Sequence, residues 1–358
     1  MQVDLYTDAK AFDTLREEWD QLLPQSYSDT LFQRPAWLGA WWQVFGAEGG
    51  LRLITVRDGR GNLVGVAPLF VAGVMAEDSE PVPALSYERP MPRPSASLHQ
   101  TVLLVGGTEV SDYLDVAVHR GHGAAVYQAL FDALQEDASW EWIDLHCLPA
   151  GSPTPEAFGK GAVAAGQRVA LVQEDVCPAI DLPASWPEYL AMLSRKERHE
   201  LRRKMRRVER SGQVRITEAS DPATLDDQLA AFVALHEASA PDKAGFMSDP
   251  RMRAFFGLVA RVALANGWLD LSFLALDGRL AASLLCFRYG DAVLVYNSGF
   301  DPQAWPGLSP GLALFAHRIR QAIESGVRVF DFMQGDERYK YDLGAQDRPV
   351  HRLFIRRG

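Results

Sequence analysis

Cysteine is scarce. The 358-residue chain has three, Cys147, Cys177 and Cys286, set far apart among apolar residues. An odd, scattered set excludes a disulfide framework and a cysteine-based zinc cluster, and it predicts buried thiols in a reducing compartment. Positive charge is also in deficit. Lys and Arg number 36 against 46 Asp and Glu, for a net charge of −10. That balance excludes a molecule-wide electrostatic footprint for DNA. No apolar run approaches the ~20 residues needed to span a bilayer. Met1–Lys10 lacks the basic start and apolar core of a signal peptide. Together these predict a cytoplasmic protein without a membrane span. Two phosphate fingerprints are missing as well: no Gly-Lys-Ser/Thr P-loop and no Gly-x-Gly-x-x-Gly occur. No metal site is predicted.

What is present is a soluble globular composition, 47% apolar and 23% charged, in a chain long enough for two domains. The most structured stretch runs from Asp291 to Gly344. Ala292–Asn297 is apolar and β-branched, as a buried strand requires. Leu308, Leu312, Phe315, Ile319 and Ile323 recur at helical steps, while His317, Arg320, Gln321 and Glu324 fall on the opposite side. Ser325-Gly326 ends this helix, and Val327–Phe332 is a second strand. At the helix start, Gly307-Leu308-Ser309-Pro310-Gly311 puts a Ser at the N-cap position and a Pro at the first helical position. Glycines there let the backbone turn tightly. A helix N-terminus following a strand suits a phosphate, through its N–H groups and dipole. An ordinary capped helix fits the same residues.

Elsewhere the pattern alternates strands and helices. A strand at Val3–Tyr6 precedes a helix from Ala9 to Leu22. An aromatic helix spans Phe32–Phe45, with Trp37, Trp41 and Phe45 on one face, a pattern of docking rings. Residues 77–97, rich in Pro, Ser and Arg, predict a long surface loop. Val102–Val105 and Tyr113–Val118 resume strand character before a helix near 122–136. Ser194–Ser211 is strongly basic: from Arg195 to Arg210 there are nine Lys/Arg and three Glu. This run is either a solvated face or a local site for a phosphate, an anionic acceptor or RNA. No aromatic residue is interleaved in it, which argues against single-strand stacking.

The two halves share one grammar. Asp58-Gly59-Arg60 and Asp277-Gly278-Arg279 each sit in a strand–turn–strand hairpin. Tyr113–Val118 with the helix after it mirrors Ala292–Ser325, and Trp142-Ile143-Asp144-Leu145 mirrors Val329-Phe330-Asp331-Phe332. Each half therefore predicts a mixed α/β unit: an antiparallel meander followed by a β-α-β crossover. The expected division is residues 1–184 and 185–358.

Such a repeated unit resembles the GNAT acyltransferase superfamily, and more closely its double-domain branch of CelD/BcsL-type acetyltransferases and Fem-type aminoacyltransferases. The residues carrying the resemblance are Phe32–Phe45, Ser111-Asp112-Tyr113-Leu114-Asp115, Ser194–Arg207, Ser309-Pro310-Gly311, and Phe330-Asp331-Phe332 through Gly335-Asp336-Glu337-Arg338-Tyr339-Lys340. The resemblance implies a mixed α/β (α+β) fold, a tandem pair of GNAT-like domains, each with a mostly antiparallel sheet flanked by helices. It implies an acyl-CoA, such as acetyl-CoA, lying between two splayed strands. Carried onto this chain, the donor would touch Val295, Asn297, Gly307, Leu308, Ser309 and Gly311. The usual Gln/Arg-x-x-Gly-x-Gly/Ala donor loop is absent here, and Fem-type relatives use aminoacyl-tRNA. The first domain would serve the acceptor or structure, with Arg34, Trp37, Asp112 and Tyr113 as substrate-contacting residues.

Acyl transfer to an amine needs a base, oxyanion donors and an acid for the leaving thiolate. Asp336 and Glu337, after the last central strand, are the candidate bases. Asp331 lies within an apolar strand, where an unpaired carboxylate is costly, so it is either in a structural salt bridge or catalytic. Lys340 is a candidate phosphate or acyl-oxygen contact. Tyr296 and Tyr339 are candidate acids. Backbone N–H groups near Val295–Asn297 are candidate oxyanion donors. The expected activity is direct N- or O-acyl transfer to an amine or hydroxyl on a sugar, cell-envelope precursor or small metabolite. Its rivals are a Fem-type tRNA-dependent aminoacyltransferase and a binding protein that keeps the fold without catalysis.

Overall fold

The computed structural model describes residues 1–76, 97–107 and 109–357. The surface loop expected at 77–97 lies almost wholly outside them. The chain divides into two compact units, residues 1–176 with 348–358, and residues 177–347.

The first unit is built on an eight-stranded sheet. Its strands are β1 (Gln2–Tyr6), β2 (Gly50–Arg57), β3 (Leu63–Ala76), β4 (Ser97–Leu104), β5 (Ala117–Val118), β6 (Trp142–Pro149) and β7 (Arg168–Val176), together with a C-terminal strand, Pro349–Arg356. The order is β1-β2-β3-β4-β6, then the C-terminal strand, then β7, with β5 also on β3. Among the described residues all pairings are antiparallel except β4 with β6, which brackets the Gly123–Glu136 helix. That helix buries Val126, Tyr127, Leu130, Phe131 and Leu134, the three- and four-residue spacing of an amphipathic face.

The second unit holds a six-stranded sheet. It adds β8 (Ala179–Asp181), β9 (Val214–Glu218), β10 (Leu269–Leu276), β11 (Arg279–Tyr289), β12 (Ala292–Phe300) and β13 (Val329–Asp331), in the order β8-β13-β12-β11-β10-β9; the C-terminal strand is β14. In this sheet β12 and β13 run parallel, joined by the Pro310–Glu324 helix. A core of Leu284, Cys286, Val293, Val295, Leu314, Ile319 and Phe330 packs that helix onto the sheet. Each unit therefore repeats hairpin, strand, helix and parallel strand. This is the tandem GNAT-like architecture expected from the internal repeat.

Several boundaries differ from expectation. The division falls at 176/177, not 184/185, because β8 pairs with β13 of the second unit. The C-terminal strand belongs to the first unit, not the second. It fills the gap between β6 and β7 and buries Val350, Leu353 and Ile355. Tyr113–Val118 is not a full strand: only Ala117–Val118 pairs, and β4 is the strand parallel to β6. The preceding residues turn inward because Asp115 is buried, accepting hydrogen bonds from Val116 N (2.8 Å) and Thr154 Oγ1 (2.5 Å). Burial pushes the Asp115 carboxyl up to about 6 against those hydrogen bonds. The Ala9–Leu22 helix is broken at Leu15 into Ala11–Thr14 and Arg16–Leu22. Among the described residues no helix is long and apolar enough to cross a membrane.

Candidate functional site in the second unit

The site is assembled where β12 and β13 part company. They pair only over Ala292–Leu294 and Val329–Asp331. Immediately beyond that point the β11–β12 register slips: Cys286 faces Val295, but Leu285 faces Asn297. Tyr296 is the extra residue of a β-bulge, which bends the strand and takes a backbone position out of the ladder. The Tyr296 ring packs against Phe256 and Phe287, each with a centroid 5.2 Å away.

The loop from β12 to the next helix ends at Gly307, with φ +75, a conformation that favours glycine. A Cβ there would lie 3.2 Å from the Arg207 guanidinium. Arg207 comes from the Arg195–Arg210 helix, which is started by a capping box: Ser194 Oγ accepts from Glu197 N at 3.2 Å, and Glu197 Oε2 from Ser194 N at 3.1 Å. Leu201 and Val208 bury its inner stripe. Ser309 occupies the N-cap position of the Pro310–Glu324 helix, as expected, but its side chain makes no capping hydrogen bond. Capping would satisfy a first-turn N–H. The exposed Arg207 guanidinium, beside Gly307, lies near this positive helix end.

After β13 the chain is held by two buried charges. Asp331 is 3% exposed, and its Oδ1 accepts from Met333 N at 2.8 Å. Lys340, 2% exposed, donates to the carbonyls of Met333 (3.0 Å), Gln334 (2.8 Å) and Gly335 (2.9 Å), and its ammonium lies 2.8 Å from Glu337 Oε2. Met333 takes φ +61 and Gly335 φ +106. A left-handed Met is unfavourable, and the converging ammonium and carboxylate contacts hold it there. Three N–H groups thus meet four acceptors, so Lys340 has no hydrogen left for a phosphate or acyl oxygen. Its expected ligand contact gives way to a loop anchor. Asp331 is thereby tied to the backbone of the turn that follows it. Asp336 and Glu337 are exposed on the same turn. Tyr339 packs its ring on Phe315 (5.4 Å) and Phe332 (6.1 Å).

Two groups from the helices over this face were not singled out by sequence. His236 is 2% exposed on the Leu225–Ser239 helix, and Lys243 is half-buried on Pro241–Ser248. Both reach the Ser298 carbonyl, from His236 Nδ1 at 3.1 Å and Lys243 Nζ at 2.8 Å. Neither sits in a motif, so no sequence signal marks them. Arg207 was legible only as one cation in a basic run.

Two of the residues expected to contact substrate from the first unit, Trp37 and Arg34, are engaged within it. Trp37 is 1% exposed, with Nε1 donating to Ser111 Oγ at 3.0 Å and its ring edge-on to Phe32 at 4.9 Å. Arg34 is paired with Asp20 at 3.0 Å. The pattern of docking rings is the correct reading of this helix, and Trp37 has no face left for a ligand. Asp112 and Tyr113 are half-buried, Tyr113 against Phe32 at 6.4 Å.

Two parallel strands that separate at a bulge, with a helix starting between them, define the GNAT acyltransferase fold. The Acetyltransferase (GNAT) domain model matches residues 195–341. The matched stretch lies within the second unit, residues 177–347. Among solved structures it is similar over 99% of its length to FemX, covering 97% of that chain at 14% identity and a TM-score of 0.62. It is also similar to a conserved protein of unknown function from Bacteroides thetaiotaomicron, at 11% identity over 99% of this chain and 100% of that one, with a TM-score of 0.56. L-PGS from Bacillus licheniformis matches at 10% identity over 94% of this chain and 90% of that one, with a TM-score of 0.52. No curated protein matches the chain.

Proposed function

We propose that the protein transfers an acyl group, acetyl being the simplest, from an acyl-CoA directly to an amine or hydroxyl of a sugar, cell-envelope precursor or small metabolite, in the cytoplasm. The observation that carries this reading is the Tyr296 bulge at the divergence of β12 and β13. It leaves the donor's amide-bearing arm a strand edge to follow past Val295 and Asn297, and it offers backbone N–H groups to the thioester oxygen. The donor's phosphates would lie on the N–H groups from Gly307 to Gly311, with Leu308 and Ser309 between them, beside Arg207.

The acceptor's lone pair attacks the thioester carbon. The carbonyl electrons move onto oxygen and return as the carbon–sulfur bond breaks. Glu337 or Asp336 takes the acceptor's proton, and Tyr296 or Tyr339 returns one to the departing sulfur. Lys340 and Asp331 support this chemistry by fixing the turn that presents the two carboxylates. No Cys–His pair is called on, so no acyl-enzyme forms. The first unit serves the acceptor or the structure, with Asp112 and Tyr113 its candidate contacts.

A second reading is favoured by one observation. At about 100° per residue, the outward arc of the Arg195–Arg210 helix carries Arg195, Lys196, Arg202, Arg203, Arg206, Arg207 and Arg210, all exposed, with its three glutamates at the flanks. That local cationic strip suits a donor carried on RNA, as in Fem-type aminoacyl transfer.

A thermal shift with acetyl-CoA decides between them. Saturation at about a hundred times the dissociation constant adds about 2.7 kcal/mol. A rise with acetyl-CoA and desulfo-CoA, but not ATP, supports the acyl-CoA reading. No rise at millimolar acetyl-CoA, with salt-sensitive binding of charged tRNA, would replace it by the second.

A further inference from the structure

Lys243 and His236 stand beside the bulge with no role in the reaction described so far. The Ser298 carbonyl, two residues past Tyr296, accepts from both. The helix carrying His236 is pressed against β12: a Cβ on Gly299 would lie 2.5 Å from His236 N. Only a glycine admits so close a backbone approach, so His236 is locked at this height on the strand. Its Nδ1 must carry the proton to donate to Ser298, leaving Nε2 as an acceptor that is buried without a partner. Burial, with Lys243 nearby, pushes the imidazole down to about 4 despite the Ser298 contact, so the ring stays neutral.

Lys243 has three N–H donors. One goes to the Ser298 carbonyl at 2.8 Å, a second reaches Ser298 Oγ at 3.4 Å, and the third has no acceptor among the described residues. Burial lowers the Lys243 pKa, and attraction from Glu337 opposes that shift. The ammonium is thus within electrostatic reach of the candidate base as well as the bulge.

We propose that Lys243 is a further catalytic residue, whose remaining N–H donates to the acyl oxygen as it gains charge, and that His236 is the positioning residue holding Ser298 and hence Lys243 in place. This inference rests on the acyl-CoA reading above. A charged donor at a developing oxyanion in a partly desolvated site acts more strongly than a neutral amide. The attack puts an electron pair on the acyl oxygen, Lys243 stabilises it without giving up its proton, and the pair returns as sulfur leaves.

The test uses acetyl-CoA labelled with carbon-13 at the carbonyl, bound to the full chain. The thioester C=O stretch is read by difference infrared spectroscopy, beside the dissociation constant of each variant. In the wild type the stretch moves to lower frequency than in free acetyl-CoA. Lys243→Gln loses most of that displacement while binding acetyl-CoA within about twofold of the wild type, because a polarising contact differs from a binding one. Lys243→Arg keeps most of it. His236→Asn, whose amide can replace the Nδ1 donor, also keeps it, and His236→Leu loses it at unchanged melting temperature. An unshifted band in the wild type, or the same shifted band in Lys243→Gln, overturns the proposal while leaving the acyl-CoA reading intact. Failure of the wild type to bind acetyl-CoA removes both.

Discussion

The two units share one topology and treat its critical point in opposite ways. In the first unit, β3 and β4 keep one register from Leu69–Leu104 to Ala76–Ser97. In the second, the equivalent pair β11–β12 slips at Tyr296. In the first unit the crossover helix starts at Gly123, where a Cβ would lie 2.6 Å from the Tyr27 hydroxyl, and His119 Nδ1 accepts from Gly121 N at 2.9 Å. In the second the same place carries the uncapped Ser309 and the Arg207 guanidinium. Beyond the parallel pair, β6 runs on to Pro149 against β14, whereas β13 stops at Asp331 and its chain turns onto Lys340. Both parallel pairs span three residues on each strand, but only in the second unit does the pair lead into a bulged strand.

In the first unit the side of β6 away from β4, where β14 lies, is tied by charge. Arg352 on β14 forms a two-point contact with Asp144, 2.7 Å at each oxygen. His146 lies 3.1 Å from Asp144 Oδ2 and 2.5 Å from Glu174 Oε1. Arg352→Met leaves Asp144 buried and short of its partner, and is expected to cost about 3–5 kcal/mol without changing acetyl-CoA affinity. Lys340→Met in the second unit strands three carbonyls and Glu337, with a stability loss of about 3 kcal/mol and loss of acyl transfer. Denaturant titration beside a binding assay separates the two. Equal loss of binding in both variants would erase the contrast between the two units.

The same network sets a pH dependence. Burial disfavours the charged His146, but the carboxylates of Asp144 and Glu174 outweigh it and raise its pKa to about 9. A folded pKa above the unfolded one means stability that is full below about 6.5 and lost as pH rises through about 9. Asp144 moves the other way: burial alone would raise it, yet His146 and Arg352 hold it at about 2. Its contribution is full above about 3.9 and disappears as pH falls toward 2. Melting temperature should therefore drop between pH 7 and 10 in the wild type and less in His146→Gln. A parallel decline in both proteins would place the alkaline titration elsewhere.

In the second unit, Arg207→Gln should weaken acetyl-CoA binding about tenfold, or about 1.4 kcal/mol, with less dependence on salt than in the wild type. Tyr27→Ala in the first unit should create no acetyl-CoA site, since β4 there has no bulge to receive the acyl end. The smallest effect separates two serines. Ser194→Ala removes half of a capping box and should cost about 1 kcal/mol. Ser309→Ala removes a side chain with no capping bond and should cost less than about 0.5 kcal/mol.

Much of this was legible in the sequence. The repeated Asp-Gly-Arg turns, the amphipathic stripe from Leu312 to Ile323 and the 187-residue echo of Asp144 in Asp331 follow from local periodicity and turn chemistry, and these define the repeated unit. The same local rules put Gly307, Ser309 and Gly311 at a helix start. They had no access to the Tyr296 bulge, because a register slip is a property of two strands together. Nor could they reveal that Lys340 is surrounded by carbonyls, or that His236, Lys243 and Ser298 meet across 62 residues of chain. Most strands and helices, and their occurrence in two copies, were written into the order of residues, because those features depend on neighbours a few positions away. Where a strand register slips, where β14 belongs, and which charges are anchors emerged on folding. Those outcomes depend on burial and on the pairing of residues far apart in the chain.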